Sequence, residues 1–86
     1  MKFTEDRPFA NLDTAVRKLL EIANGLEADH AGRLDVGNIN AQFLRARGSV
    51  QDYVAAVKAA IDRGYIAMHP SSGYVTFTQE GADLFA

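Results

Sequence analysis

The sequence lacks cysteine altogether, and it contains no long apolar run. Without cysteine, a disulfide framework, a thiolate zinc site and a cysteine nucleophile are all excluded. The longest uninterrupted apolar stretches span a few residues, whereas a membrane helix needs roughly 18. Residues 1–8 mix charges of both signs and lack the apolar segment of a signal peptide. We therefore expect a cytoplasmic protein without membrane contact, which depends on side-chain packing for its stability.

Neither charge of one sign nor hydrophobicity is in excess. The chain has 86 residues, of which 48% are hydrophobic and 23% charged, close to the roughly 45–50% and 25% of average soluble domains. Its net charge of -2 and its pI of about 5.5 do not in themselves indicate a nucleic-acid partner. We expect one folded domain over residues 11–86, preceded by an N-terminal tail over residues 1–10 in which Phe3 and Phe9 can anchor onto the domain.

Residue patterns typical of catalysis and of metal binding are also missing. Asp29, His30 and Asp35 are metal-capable side chains, but their spacing matches no zinc motif or calcium loop. The sequence contains no glycine-rich phosphate loop and no arrangement of a nucleophile with a base. We therefore expect no catalytic residues, no metal and no cofactor, and we expect that the protein is not an enzyme.

The clearest local signal is an amphipathic helix, which begins after Asn11 or Asp13 and ends near Asn24-Gly25. Its apolar face is about 160° wide, broader than one neighbouring helix requires. That face consists of Leu12, Val16, Leu19, Ala23 and Leu26, flanked by Leu20 and Ile22.

Two further helices follow a predicted loop over residues 27–35. Asn38 is expected to cap the second helix, which carries Ile39, Phe43 and Leu44 and ends at Arg47-Gly48, where glycine can adopt a positive φ. Ser49 then caps the third helix, with Asp52 completing a capping box, and Gly64 ends it. On this helix we expect one apolar side, formed by Val50, Tyr53, Val54, Val57, Ala60 and Ile61, and an opposite side formed by Gln51, Asp52, Ala55, Lys58, Ala59 and Asp62.

The last third of the sequence predicts a β-hairpin and a short helix. Residues 65–69 and 74–78 are aromatic, apolar or β-branched, and they flank a turn over residues 70–73. A short helix then begins at Thr78 or Gln79. We expect Ile66, Met68, Val75 and Phe77 on the buried face of the hairpin, one core that includes Leu19, Phe43, Val57, Ile66 and Phe77, and apolar contacts from Ala82, Leu84 and Phe85 in the last helix. The fold class is thus mainly α with a small β-hairpin, an α+β fold.

Two segments carry a resemblance to a known family. The third helix ends with Arg63-Gly64-Tyr65-Ile66 after regularly spaced apolar residues, and the hairpin leads into Phe77-Thr78-Gln79-Glu80-Gly81. Together with the order of the elements, these segments make the chain from about Leu12 onward similar to the winged helix-turn-helix superfamily. The resemblance implies a three-helix core, a hairpin wing and a short C-terminal helix.

The same resemblance implies binding to double-stranded DNA. In DNA-reading members of the superfamily, the third helix lies in the major groove, and the turn before it and the wing contact phosphates. Gln51 is then expected to pair with adenine, and Lys58 with guanine or phosphate. The function expected is that of a small transcriptional regulator or an accessory protein of a mobile element or replication system. The positions that match are Arg45, Arg47, Ser49, Gln51, Asp52, Ala55 and Lys58, with Ser71 to Gly73 at the wing tip.

Charge partly supports this expectation. Residues 37–64 carry four basic and two acidic side chains, whereas residues 1–36 and 65–86 each carry a net negative charge. Against it, Ala55 and Ala59 offer no hydrogen bonds, Asp52 and Asp62 would repel phosphate, and the wing contains no lysine or arginine.

The alternative is a winged helix that associates with a protein partner. In that case Val50 and Val54, or Leu20 and Ile22, would make the contact. A homodimer is expected in addition, because the apolar face of the first helix is wide, because Leu84-Phe85 is apolar, and because small winged helices need two half-sites.

Overall fold

The helix and strand boundaries follow from capping residues and glycines along the chain. In this computed structural model, which describes residues 8–86, four helices and one three-stranded antiparallel sheet are present. This confirms the α+β class and is compatible with the expected winged-helix order. The described part of the chain includes no helix of the length and apolar character needed to cross a membrane. The elements are α1 (Leu12–Gly25), β1 (Leu34–Asp35), α2 (Val36–Arg45), α3 (Val50–Asp62), β2 (Ile66–Met68), β3 (Tyr74–Phe77) and α4 (Gln79–Asp83).

Helix α1 begins where its sequence predicts. The side chain of Asn11 accepts a hydrogen bond from the backbone N–H of Thr14 at 3.1 Å, which satisfies a donor that the first turn would otherwise leave unpaired. Its buried face is formed by Ala15, Val16, Leu19, Leu20 and Ala23. Leu12, the first residue of the helix, is exposed, so the predicted apolar face is buried only in its central part.

The connection between α1 and α2 contains a strand that the sequence does not reveal. The prediction of a loop over residues 27–35 is wrong at its end, because Leu34 and Asp35 pair with Val75 and Tyr74 of β3. The predicted cap Asn38 is also wrong. The side chain of Asp35 accepts from the N–H of Gly37 at 2.7 Å, so α2 begins directly after β1.

In the turn between α2 and α3, the residue with a positive φ is not the one that the sequence predicts. Arg47, and not Gly48, has the positive φ, at 77°. Gly48 is required for a different reason, since a Cβ atom there would overlap the ring of Phe43. Phe43 is completely buried, and Phe9 packs on it with ring centroids 5.1 Å apart. The anchor expected at Phe9 is therefore confirmed, while Phe3 lies outside the described residues.

Helix α3 begins with the predicted capping box but is rotated from the expected orientation. The backbone N–H of Asp52 donates to the Ser49 hydroxyl at 3.0 Å, and the Ser49 N–H donates back to the Asp52 carboxylate. Its buried residues are Asp52, Ala56, Ala59 and Ala60, whereas Val50 and Val54 are exposed. Of the predicted apolar side, Ala60 is buried and Tyr53, Val57 and Ile61 are half-buried against the core, so the buried side overlaps the predicted one only in part. The small alanine side chains explain the difference, because they let α3 lie close to α1, with which it makes the most extensive helix packing in the described chain.

The hairpin pairs Ile66 with Phe77 and Met68 with Val75. Strand β3 also pairs with β1, so the sheet has the order β1-β3-β2 and not the two strands predicted. Ile66 and Val75 are buried, and Met68 and Phe77 are half-buried, which confirms the predicted inner face.

Helix α4 is fixed by Thr78. Its hydroxyl accepts from the backbone N–H of Gly81 at 3.0 Å, and the same O–H donates to the carbonyl of Gly64, two residues after the end of α3. Gly81 is buried, and a Cβ atom there would overlap the carbonyl of Tyr65. The apolar contacts expected from Ala82, Leu84 and Phe85 are found only for Phe85.

Ala82 and Leu84 are exposed, because α4 is held by its backbone and its cap rather than by apolar side chains. Phe85 does contact the fold, with its ring 6.0 Å from that of Phe77.

The core lies between α1, α2, α3 and the sheet. Leu19, Phe43 and Ile66 are buried in it as predicted, and Val57 and Phe77 pack against it while remaining half-buried. The buried apolar residues are Ala15, Val16, Leu19, Leu20, Ala23, Leu34, Ile39, Phe43, Ala56, Ala59, Ala60, Ile66 and Val75.

Candidate interaction surface

One side of the exposed surface of α3 carries aliphatic side chains. Val50 and Val54 are 64% and 58% exposed, more than any other large hydrophobic residue in the described part of the chain. They lie one helical turn apart, so their side chains share one face. Exposed apolar residues that form a continuous patch are typical of surfaces that bind another molecule. We call this set, Val50, Val54, Val57 and Ile61, the α3 face.

A shallow groove of about 430 Å³ runs beside the α3 face toward the sheet. Its lining is mostly apolar, with the charged pair Lys58 and Asp62 as the exception. The apolar lining residues are Val36, Tyr53, Val54, Val57, Ile61 and Met68. Val36 and Met68 come from α2 and β2, so the groove exists only in the folded chain. Sequence reasoning missed these two residues as parts of a site.

Tyr53 forms a fixed part of the groove. Its ring is edge-on to Phe43, with centroids 5.7 Å apart, and its hydroxyl is oriented to donate to the carbonyl of Val36 over 3.5 Å. Burial raises the pKa of the Tyr53 hydroxyl, because the phenolate form would lose hydration. The phenol in the groove wall is therefore uncharged at neutral pH.

Lys58, one of the predicted DNA contacts, is engaged on its own helix. Its ammonium lies 3.1 Å from the Asp62 carboxylate, one turn further along α3. Both side chains are mostly exposed, so the ion pair is weak and screened by salt. The pair nevertheless leaves this part of α3 without a net positive charge.

Positive charge collects instead in the turn before α3. Arg45 and Arg47 are both exposed, at the end of the α3 face that begins with Val50. Arg47 adopts a left-handed backbone conformation, which costs a non-glycine residue roughly 1 kcal/mol. Residues held in such conformations are concentrated at functional positions. Ser49, the next predicted contact, is half-buried, and its hydroxyl is already used by the helix cap.

The remaining predicted contacts are split between surface and interior. Gln51 and Ala55 are exposed on α3, as the DNA hypothesis requires. Asp52 is only 5% exposed and forms the capping box, so the repulsion of phosphate that we expected from it does not apply at the surface.

The wing tip is held by local hydrogen bonds. The N–H of Ser71 donates to Nδ1 of His69 at 3.1 Å, and the N–H of Gly73 donates to the Ser71 hydroxyl at 3.2 Å. The carbonyl of Gly73 accepts from the N–H of Val36, which ties the wing tip to the start of α2.

Arg33, from the connection before β1, contacts the wing. The guanidinium of Arg33 stacks 4.8 Å from the centre of the Tyr74 ring, and its Nε donates to Asp29 at 2.8 Å. This contact could not be predicted from the sequence, because it depends on the pairing of β1 with β3.

The metal-capable residues are engaged in local structure. Asp29 accepts from the N–H groups of Ala31 and Arg33, and Asp35 caps α2. Within residues 8–86, no group of three or more His, Asp or Glu side chains could hold a metal ion.

A second open groove, of about 580 Å³, lies between α1 and the end of the chain. Arg63 forms an ion pair with Asp13 of α1 at 2.9 Å in this groove. Leu84 and Phe85 form the apolar edge of the groove. Of the two α1 residues considered for partner contact, Leu20 lines this groove but is only 3% exposed, and Ile22 is half-buried.

Searches of protein-family models, of curated proteins and of solved structures find no significant match to the chain. The comparisons therefore assign neither a family nor a function.

Proposed function

We propose that this protein is a small winged-helix protein that works by association with another protein through the α3 face. The observation that carries the proposal is the high exposure of Val50 and Val54 on α3, the helix that a DNA-reading winged helix would place in the major groove. Aliphatic side chains there offer no hydrogen bonds to base edges, apart from contact with a thymine methyl group.

The winged-helix part of the proposal is supported by three features. The turn between α2 and α3 is short, the hairpin follows α3 directly, and Thr78 joins the hairpin to the end of α3. The association part is supported by the groove, because its apolar walls from α2, α3 and β2 resemble the apolar centre of protein interfaces, with charged residues at the rim.

The test is position-specific photo-crosslinking in cells that naturally contain the protein. A photoreactive amino acid replaces Val54 or, as the control, Ala28, which is exposed in the connection after α1. We expect a protein adduct from position 54 and none from position 28. Equal adducts from both positions, or nucleic-acid adducts alone from position 54, would contradict the proposal.

DNA binding is the second candidate function, and one observation favours it. Arg45, Arg47 and Gln51 are exposed together around the turn before α3, while Asp52 is turned into the fold. In this case the protein would contact phosphates mainly through the two arginines, and would act as the regulator or accessory protein expected from the sequence. Electrophoretic retardation of mixed duplexes near 50 mM salt tests it, because even non-specific contacts are strong at that concentration.

A further inference from the structure

The four apolar residues of the α3 face are spaced symmetrically about the middle of the helix. We propose that its occupant is the α3 helix of a second copy of this chain, packed antiparallel to the first. This inference rests on the proposed function and names its partner. It places the homodimer contact on α3, whereas the sequence suggested α1 and Leu84-Phe85.

The apolar residues are spaced symmetrically for this pairing. Val50 and Ile61 lie near the two ends of α3, about 16 Å apart along the axis, with Val54 and Val57 between them. In an antiparallel pair, Val50 of one copy faces Ile61 of the second copy, and Val54 faces Val57. Each contact then occurs twice, as a two-fold symmetric interface requires.

The two ends of α3 differ in charge, because Arg45 and Arg47 precede the helix, whereas Asp62 at its other end forms an ion pair with Lys58. Arg47 precedes the helix and is exposed, and Asp62 is the last residue of the helix and is also exposed. Antiparallel packing brings each Arg47 within about one helical turn of Asp62 of the second copy. Parallel packing would instead bring the Arg47 side chains of the two copies together at one end, which is unfavourable.

Charge elsewhere in the chain supports self-association over association with a strongly acidic or basic protein. The charged residues around the α3 face have both signs, Lys58 and the arginines against Asp62, and the positive residues 37–64 belong to a chain with a net charge of -2. A partner of the same composition therefore meets no large repulsion. The contact of two helices of this length is smaller than a standard interface of roughly 1,600 Å², so we expect a dimer that forms in the micromolar range.

Sedimentation equilibrium of the full chain between about 1 and 500 µM tests the proposal. We expect the average mass to rise from 9.4 kDa toward twice that value with concentration. Val54→Glu should abolish the rise. Val54→Thr, which keeps the branched shape, should weaken it and keeps the experiment informative if the glutamate variant does not fold.

Charge reversal identifies the orientation. Arg47→Glu alone and Asp62→Arg alone should each raise the dimer Kd by about tenfold, a change typical for one lost interfacial charge pair. The double variant should return the Kd to within about threefold of the original. Arg17→Glu, which changes the same charge on the exposed side of α1, is the control and should leave the Kd unchanged.

A monomer at every concentration, or a dimer that Val54→Glu and the charge reversals do not affect, would overturn the inference. These results are distinguishable from failure of the proposed function. A purified chain that stays monomeric, yet forms a position-specific adduct with another protein at Val54 in cells, contradicts only the self-association.

Discussion

Phe43 has no exposed surface and connects α2 to three other parts of the fold. It contacts the rings of Phe9 and Tyr53 and lies beneath Gly48. Phe43→Ala should lower the free energy of unfolding by about 3–5 kcal/mol, because it removes a large buried ring and leaves a cavity. Urea unfolding followed by circular dichroism measures the change. Leu44→Ala, at the adjacent exposed position, is the control and should have less than about 1 kcal/mol of effect.

Gly48 is constrained by space rather than by backbone angle. Gly48→Ala should destabilise the protein by about 1–3 kcal/mol, because the added methyl group must displace the Phe43 ring. Gly25→Ala at the end of α1 is the matched control, since nothing lies within 4 Å of a Cβ atom there. Thermal unfolding should show that the control is neutral or stabilised by up to about 1 kcal/mol. Equal effects at both glycines would contradict the steric explanation.

At the scale of secondary-structure elements, the orientation of α3 determines which valines stabilise the fold. Val54 is exposed on α3, whereas Val75 is buried at the centre of the sheet. Val54→Thr should change the free energy of unfolding by less than about 0.5 kcal/mol at low protein concentration. Val75→Thr should cost about 1–3 kcal/mol, because it buries a hydroxyl group in the core. A larger loss from Val54→Thr would show that α3 is rotated from the described orientation.

The connection before β1 should make stability depend on pH. The hydrogen bond from the backbone N–H of Arg33 does most to lower the pKa of the Asp29 carboxyl. The N–H of Ala31 and the Arg33 guanidinium lower it further. The folded state therefore favours the ionised carboxylate. This contribution is present above the ordinary aspartate pKa of about 3.9 and is lost as the pH falls through the lower value in the folded protein.

Asp29→Asn should therefore lose less stability than the original chain between pH 7 and pH 3, as measured by urea unfolding at each pH. Glu27→Gln, two residues earlier, removes the same charge at an exposed position and is the control. Identical pH profiles for the original chain and Asp29→Asn would contradict the prediction.

The elements that could be predicted from the sequence are those fixed by near neighbours. The caps at Asn11, Ser49 and Thr78 each join residues three positions apart, so their signals are complete within a short segment. Strand β1 could not be predicted, because two residues carry no periodicity and Leu34 pairs with Val75 far along the chain. The orientation of α3 could not be predicted either. Its valines outweigh its alanines in hydrophobicity, but only the alanines allow the close approach to α1.

In the candidate site, likewise, only the features set by neighbouring residues could be predicted from the sequence. Arg45, Arg47 and Gln51 were placed at the surface by local pattern, and the structure agrees. The groove could not be anticipated, because it depends on Val36 and Met68 from other elements and on the rotation of α3.

For the molecule as a whole, residues 37–64 form a segment with a net positive charge, whereas the segments before and after it are net negative. If the protein binds DNA, Arg47→Ala should lower the salt dependence of binding by about 1 in the log–log slope, because one phosphate contact is lost. Lys58→Ala should have a smaller effect, since Asp62 already balances its charge. Fluorescence anisotropy with a labelled duplex at several salt concentrations measures both slopes. Equal effects would indicate that the Lys58–Asp62 pair opens on binding.

Strand β3 occupies the middle of the sheet, between β1 and β2. Its partner β1 lies early in the chain and β3 lies near the end, so their pairing closes a long loop and carries a large entropic penalty. During synthesis, α1 and α2 therefore emerge before β3, the strand that completes their packing, has been synthesised. The sheet can form only after Tyr74–Phe77 have left the ribosome, and until then the buried side of Leu34 remains open to solvent and to chaperones.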